Sequence, residues 1–235
     1  MDSQTRHALK QDKFVLATQS SASWVGEHRS SVIRTSIVVV VVLAVLIAGA
    51  VVYNQRSDAA ETALGAALDV YSAQLAQPGA PTQKNVYTTA SERAKAANQQ
   101  FVQVASQYGW LPQGGKAHYF AGLTYQQLGQ TASAETELKA AAGSWDGNLS
   151  GLAKFALAGF YHQTGRDAQA IDLYNALIAK PSNSVPAYTS QLALADVYSA
   201  AGKTEQAKQL WAKVKDADKS GAAGSIAAQK LTAKK

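Results

Sequence analysis

The feature that most constrains the fold of this chain is a spaced set of residues that recurs three times. Gly122, Tyr125, Gly129, Ala134 and Leu138 form the first set, Ala158, Tyr161, Gly165, Ala170 and Tyr174 the second, and Ala195, Tyr198, Gly202, Ala207 and Trp211 the third. The glycines that follow the tyrosines stand 36 and 37 residues apart. Each set reads small residue, aromatic three on, Gly four on, Ala five on and a bulky residue four on. A small residue and a Tyr three apart share one helix face. The Gly then ends that helix in a tight turn, where a left-handed backbone costs it nothing. The Ala lets a second helix approach closely, and the bulky residue one turn later fills the space between the two. Self-similarity at this period predicts an array of helix pairs.

Over residues 116–214 the pattern resembles the tetratricopeptide repeat, and three copies keep one register. The spacing exceeds that repeat's usual ~34 residues by two or three, consistent with longer loops between copies. Lys154 and Gln191 stand near the place of a first-helix aromatic, and Asp146 and Ser182 near the place of a closing Pro. The resemblance implies an all-α protein whose helix pairs stack into a right-handed α-solenoid.

Ahead of the array, residues 37–53 form an apolar run that includes Val38 to Val42 uninterrupted and carries no charge. With Thr35 and Ser36 it makes roughly 28 Å of helix, enough to cross a hydrocarbon core. Arg6, Lys10, Lys13, Arg29 and Arg34 precede it, whereas only Arg56 follows before Lys84. This asymmetry predicts a cytoplasmic N-terminus and a C-terminal part across the membrane, the periplasm in a bacterium. Ala48-Gly49-Ala50 matches a signal-cleavage pattern and is the competing reading. The long leader before the apolar run, and its continuation through Val51, Val52 and Tyr53, favour an uncleaved anchor.

The chain divides accordingly into a cytoplasmic tail (1–34), a transmembrane helix (35–55), an N-terminal helical segment (56–112), three repeats (113–217) and a capping helix with a basic tail (218–235). In the tail, His7 to Phe14 fits a short amphipathic helix, and Ser20 to Ser23 reads as loose. Leu64, Leu68, Tyr71 and Leu75 mark the buried stripe of a helix from Asp58 to Ala76, which Gln77-Pro78-Gly79-Ala80-Pro81 breaks. Ala97, Phe101, Val104 and Tyr108 mark the next buried face, with Gly109 to Pro112 as its stop. Helix pairs are expected at 114–128 with 132–142, 150–163 with 167–179, and 185–200 with 204–215, and a capping helix at 222–231. Without a cysteine, the chain has no disulfide and no thiolate metal ligand. Its net charge of +6 is densest toward the C-terminus and reads as a solvated face, or as a contact for anionic lipid or an acidic partner.

Catalytic patterns are missing from the sequence. His118 and His162 fall on successive first helices, not at metal-ligand spacing, and His7 and His28 precede the span. Gly115-Lys116 and Gly202-Lys203-Thr204 lack the leading Gly of a phosphate loop and do not follow strands. Neither a nucleophile elbow nor a motif with paired carboxylates occurs. The reading is therefore a binding protein and not an enzyme, with no metal, no cofactor, no small-molecule substrate and no nucleic acid partner.

What the repeat resemblance implies is a peptide-binding groove lined by first-helix positions. These are Lys116, Tyr119, Leu123 and Gln126, then Leu152, Phe155, Gly159 and His162, then Thr189, Leu192, Asp196 and Ser199. Such a wall, mostly uncharged, suits an extended or unfolded segment. The whole layout (a tail with Arg6 to Phe14, one span and an exported repeat domain) resembles the single-span ancillary subunit of the bacterial Sec translocon. That resemblance implies an inner-membrane protein whose partners are translocon subunits, exported polypeptides and periplasmic chaperones. The alternative is an envelope or cell-division scaffold that binds folded partners.

Overall fold

A computed structural model of the chain describes residues 29–76 and 86–232. Among them run the helices α1 Arg29–Ser72, α2 Ala90–Tyr108, α3 Pro112–Gln127, α4 Thr131–Ala142, α5 Gly147–Gln163, α6 Asp167–Ala179, α7 Ala187–Ala200, α8 Thr204–Ala217 and α9 Ala222–Thr232. The described residues hold no strand beyond an isolated bridge between Leu75 and Tyr87. The expected tail helix at His7 to Phe14, the loose stretch at Ser20 to Ser23, the breaker at Gln77 to Pro81, and Lys234 and Lys235 lie outside the described residues.

Contacts divide the chain into two units, 1–55 and 56–235. In the first, the described residues belong to α1, and the apolar run is exposed throughout, Val40 to 63% and Leu46 to 63%. This helix is long and apolar enough to cross a membrane. So large a contiguous apolar surface needs apolar surroundings. The helix begins at Arg29, inside the stretch expected as tail, and ends at Ser72. Leu75, expected in its stripe, is thus beyond its end and 41% exposed. There Ala76 N–H donates to the Tyr87 carbonyl at 2.8 Å, which draws the chain out of the helix.

In the second unit, Ala60, Leu64 and Ala67 recur at helical spacing and form the buried edge of α1. Leu64 and Ala67 pack with Ala97, Phe101 and Val104 of α2 and with Ala117 and Ala121 of α3. Tyr71, Phe101 and Phe120 meet there, Phe101 and Phe120 stacked at 5.2 Å and Tyr71 edge-on to both. One buried amide enters this apolar layer. Asn98 donates to the Ala121 carbonyl and to Thr124 Oγ1, which itself donates to the Phe120 carbonyl. Paired in this way, the group avoids the cost of an unmet buried donor. Helix α2 opens at Thr89, whose side chain accepts from Glu92 N–H, and α3 opens with Pro112 at its first position, where no N–H is needed.

From α3 onward one turn is built three times. Gly129, Gly165 and Gly202 have φ of 70°, 75° and 73°. Each accommodates a left-handed residue that a side chain would strain. The N–H after each glycine (Gln130, Arg166, Lys203) donates back to the carbonyl of the set's tyrosine (Tyr125, Tyr161, Tyr198) at 2.9, 2.8 and 2.8 Å. Each glycine N–H reaches the following residue's carbonyl, on Gln126, His162 and Ser199. Both bonds together satisfy the orphan carbonyls at a helix C-terminus. Two residues past the glycine, α4, α6 and α8 begin, with no side-chain cap.

Helices packed this way leave a small residue facing a bulky one. A Cβ added to Gly122 would lie 2.6 Å from Leu138 Cγ, so α3 and α4 touch nearly backbone to side chain. Ala158 and Tyr174 share one core cluster, and Ala195 and Trp211 another. Ala134, Ala170 and Ala207, five residues after the glycines, are each 0% exposed. From α2 to α9 every helix touches its successor, and α3, α5, α7 and α9 also touch in order. Among the described residues, α4, α6 and α8 do not touch one another.

A carboxylate ties the first set to the second. Glu135 of α4 pairs with Lys139 at 2.7 Å and Arg166 at 2.8 Å and accepts from the Tyr161 hydroxyl at 3.0 Å. The Arg166 guanidinium lies 4.2 Å over the Tyr161 ring. The Lys139 hydrogen bond, with those of Arg166 and Tyr161, lowers the Glu135 pKa to about 2.

Two outcomes follow for the full chain in detergent micelles. Ala170→Trp and Ala207→Trp overpack closed helix contacts and lower stability by roughly 1–3 kcal/mol or more, while Gln169→Trp, on the exposed face beside Ala170, leaves the melting temperature near wild type. Gly165→Ala meets no atom within 4 Å, so its loss, about 1–2 kcal/mol, is backbone strain alone. Thermal melts followed by circular dichroism rank the four, and a destabilised Gln169→Trp would break the register of the second set.

Glu135 carries a pH signature. Its folded pKa, about 2, lies below the ordinary Glu value of about 4.3, so its stabilisation is complete above pH ~4.3 and lost as pH falls toward 2. Glu135→Gln therefore melts earlier than wild type at neutral pH, and the gap narrows below pH ~4. Melting-temperature profiles that stay parallel down to the acid limit would remove the role assigned to this carboxylate.

Candidate functional site

The first helices α3, α5 and α7 lie in contact, which brings their expected groove positions onto neighbouring elements. Lys116 is exposed. Tyr119, Leu123, Gln126, Leu152, Phe155, Gly159, His162, Thr189, Leu192, Asp196 and Ser199 are all half-buried. Partial burial splits these side chains between packing and display. Tyr119, Leu123, Leu152 and Phe155 lean on one core cluster, and Leu192 on the next. The Phe155 ring meets Tyr174 edge-on at 5.5 Å, and Tyr119 meets Phe120 at 5.3 Å. Burial raises the Tyr119 hydroxyl pKa, with a smaller contribution from Tyr71. Tyr174 is pushed up to about 12, mainly by burial and further by Asp196. Both phenols stay neutral; Tyr119 is half-buried on this face, whereas Tyr174 is 4% exposed and belongs to the core.

Two members of the expected groove are engaged within the chain. His162 Nδ1 lies 2.7 Å from Asp167 Oδ1, across the glycine turn between α5 and α6. Asp196 pairs with Lys230 of α9 at 2.9 Å. The Asp196 charge is thus met within the chain, and Lys116 is an exposed cation of this face. His118, on α3, lies 2.6 Å from Glu137 of α4, so the two histidines each hold a separate carboxylate. Among the described residues no group of three or more His, Asp or Glu side chains converges at metal-ligand distances.

The face spanning α3, α5 and α7 thus offers aromatic edges, aliphatic side chains, the hydroxyls of Tyr119, Thr189 and Ser199 and the Gln126 amide.

A second surface lies at the loops that join one helix pair to the next. A cleft of about 350 Å³ is lined by Trp110, Leu111, Pro112, His118 and Trp145 among others. A neighbouring one of about 480 Å³ is lined by Trp145, Lys154, Leu177, Lys180 and Pro181 among others. Trp145 is 82% exposed and Trp110 62%. Sequence reasoning used Trp110 only as part of a helix stop and passed over Trp145. The available signal was their separation of 35 residues, close to the 36 and 37 that separate the turn glycines.

The Glu135 cluster was missed as well. Its i, i+4 pairing with Lys139 is legible in the sequence, but Arg166 and Tyr161 join it only through helix packing. No family model, curated protein or solved structure matches this chain.

Proposed function

We propose that this chain is a single-span membrane protein whose helix pairs, of tetratricopeptide type, stack as a right-handed solenoid and bind other polypeptides along the face of α3, α5 and α7. One observation carries the reading. Three helix pairs share the same glycine turn, and their first helices touch in order while keeping Tyr119, Leu152, Phe155 and Leu192 half-exposed. An array of this kind presents an extended binding surface and needs no reactive group. The partner class is polypeptide, best matched by an extended apolar segment, and the activity is binding and not catalysis.

The charge flank supports an N-terminus on the cytoplasmic side, with residues 56–235 across the membrane. In a bacterium this is an inner-membrane protein facing the periplasm. The narrower reading is an ancillary subunit beside the Sec translocon, handing exported chains to periplasmic chaperones; it rests on the layout of tail, span and repeats alone. An envelope scaffold for folded partners shares that layout.

A photo-crosslinking residue at Phe155 in the full chain within membranes captures exported polypeptides still in transit, and the same residue at Gln130, on a glycine turn, does not. Adducts confined to folded envelope proteins would move the reading to the scaffold, and equal capture from Gln130 would remove the groove. Independently, a reporter active only outside the cytoplasm works when fused after Lys235 and is silent before Met1. The reverse pattern would invert the topology without touching the groove.

A further inference from the structure

The loops joining α2 to α3, α4 to α5 and α6 to α7 make one edge of the second unit, and the glycine turns make the other. Trp110 and Trp145 line one cleft, Trp145 and Pro181 the next, and Ser184 Oγ donates to the Asn148 carbonyl at 2.7 Å. The loop edge is also where the chain enters this unit. Gln113, three residues past Trp110, donates to Ser57 Oγ at 3.2 Å and to Glu61 at 3.1 Å. At the glycine-turn edge, Gln127 donates instead to the Tyr71 hydroxyl at 3.4 Å, about 21 Å of helix beyond Ser57.

Ser57 follows the end of the apolar run at Tyr53 by four residues, at most about 14 Å of chain. The tether therefore limits how far Ser57 can stand from any bilayer that the run crosses. The chemistry of the edge fits that neighbour. Indoles with an apolar body and a polar N–H collect at membrane interfaces, and Trp145 and Trp110 are 82% and 62% exposed. Lys154 and Lys180 flank Trp145 in its cleft. Of the nearby carboxylates, Asp146 accepts from Asn148 and Leu149 N–H groups and Glu61 accepts from Gln113, while Asp58 is exposed.

We propose that this edge docks on the surface of an anionic phospholipid bilayer, with Trp110 and Trp145 in the headgroup layer and Lys154 and Lys180 against lipid phosphates. The inference rests on residues 37–53 spanning the membrane and is independent of what the face of α3, α5 and α7 binds. Docking would hold the loop edge at the bilayer and turn the glycine edge away from it.

The chain has no cysteine, so single nitroxide labels can be placed cleanly. The full chain carrying Trp145→Cys, or Gln130→Cys on the opposite edge, is labelled and reconstituted into phosphatidylcholine vesicles containing phosphatidylglycerol. The label at 145 is expected to collide with oxygen dissolved in the bilayer and to be shielded from an aqueous nickel chelate, and the label at 130 to show the reverse. Lys154→Glu with Lys180→Glu abolishes most of the shielding at 145, as does high salt. Equal chelate access at 145 and 130, in a chain that floats with the vesicles, overturns the docking and leaves this edge to a protein partner. Shielding that survives both charge reversals overturns the role of anionic lipid. A chain that does not float with vesicles removes the span, and this proposal with it.

Discussion

The second unit depends on one contact geometry, the approach of a small residue on one helix to a bulky residue on the next across a left-handed glycine. The turn sets the approach. With φ near 70° at Gly129, Gly165 and Gly202, the chain reverses within a few residues and the second helix returns against the first. Alanines with no exposed surface then allow the helices to close, and Leu138, Tyr174 and Trp211 fill what remains. A larger side chain at the small position forces the pair apart, and a smaller one at the bulky position leaves a cavity, at roughly 2–5 kcal/mol for a buried Leu cut to Ala.

Stability built this way is local and serial. Each helix rests mainly on its chain neighbours, and the buried side chains fall into separate clusters along the chain, with no single centre. The Glu135 carboxylate, the Arg166 guanidinium and the Tyr161 ring tie the first set to the second within one cluster, and Lys203 lying 5.6 Å over the Tyr198 ring repeats the cationic half in the third set. The residue after each turn glycine thus closes the turn by its backbone and, in these two copies, covers the tyrosine by its side chain.

The same packing separates two surfaces by chemistry. Along α3, α5 and α7, His162 and Asp196 are engaged by partners within the chain, and the remainder is aromatic, aliphatic, hydroxyl or amide apart from the exposed Lys116. At the loop edge the exposed groups are indole and ammonium. The two surfaces therefore differ in the chemistry they present.

By itself the sequence determined the helical class, the apolar helix and the place of each glycine turn, because these depend on backbone preference and short-range spacing. A glycine four residues past a tyrosine adopts its conformation for reasons contained within one turn. From α2 onward helix ends were legible to within about three residues for the same reason, whereas α1 begins six residues before the expected span and runs unbroken through the expected start at Asp58. Where an end depended on a distant partner, as at Leu75 beside Tyr87, the sequence carried the helix too far. Only the tertiary structure decided which charges are spent inside the molecule. Asp196 meets Lys230 and Glu135 meets Arg166 across 34 and 31 positions, and no local pattern encodes such pairs. Trp110 and Trp145 became one edge in the same way, because stacking brings their loops side by side, a distance that chain spacing does not express.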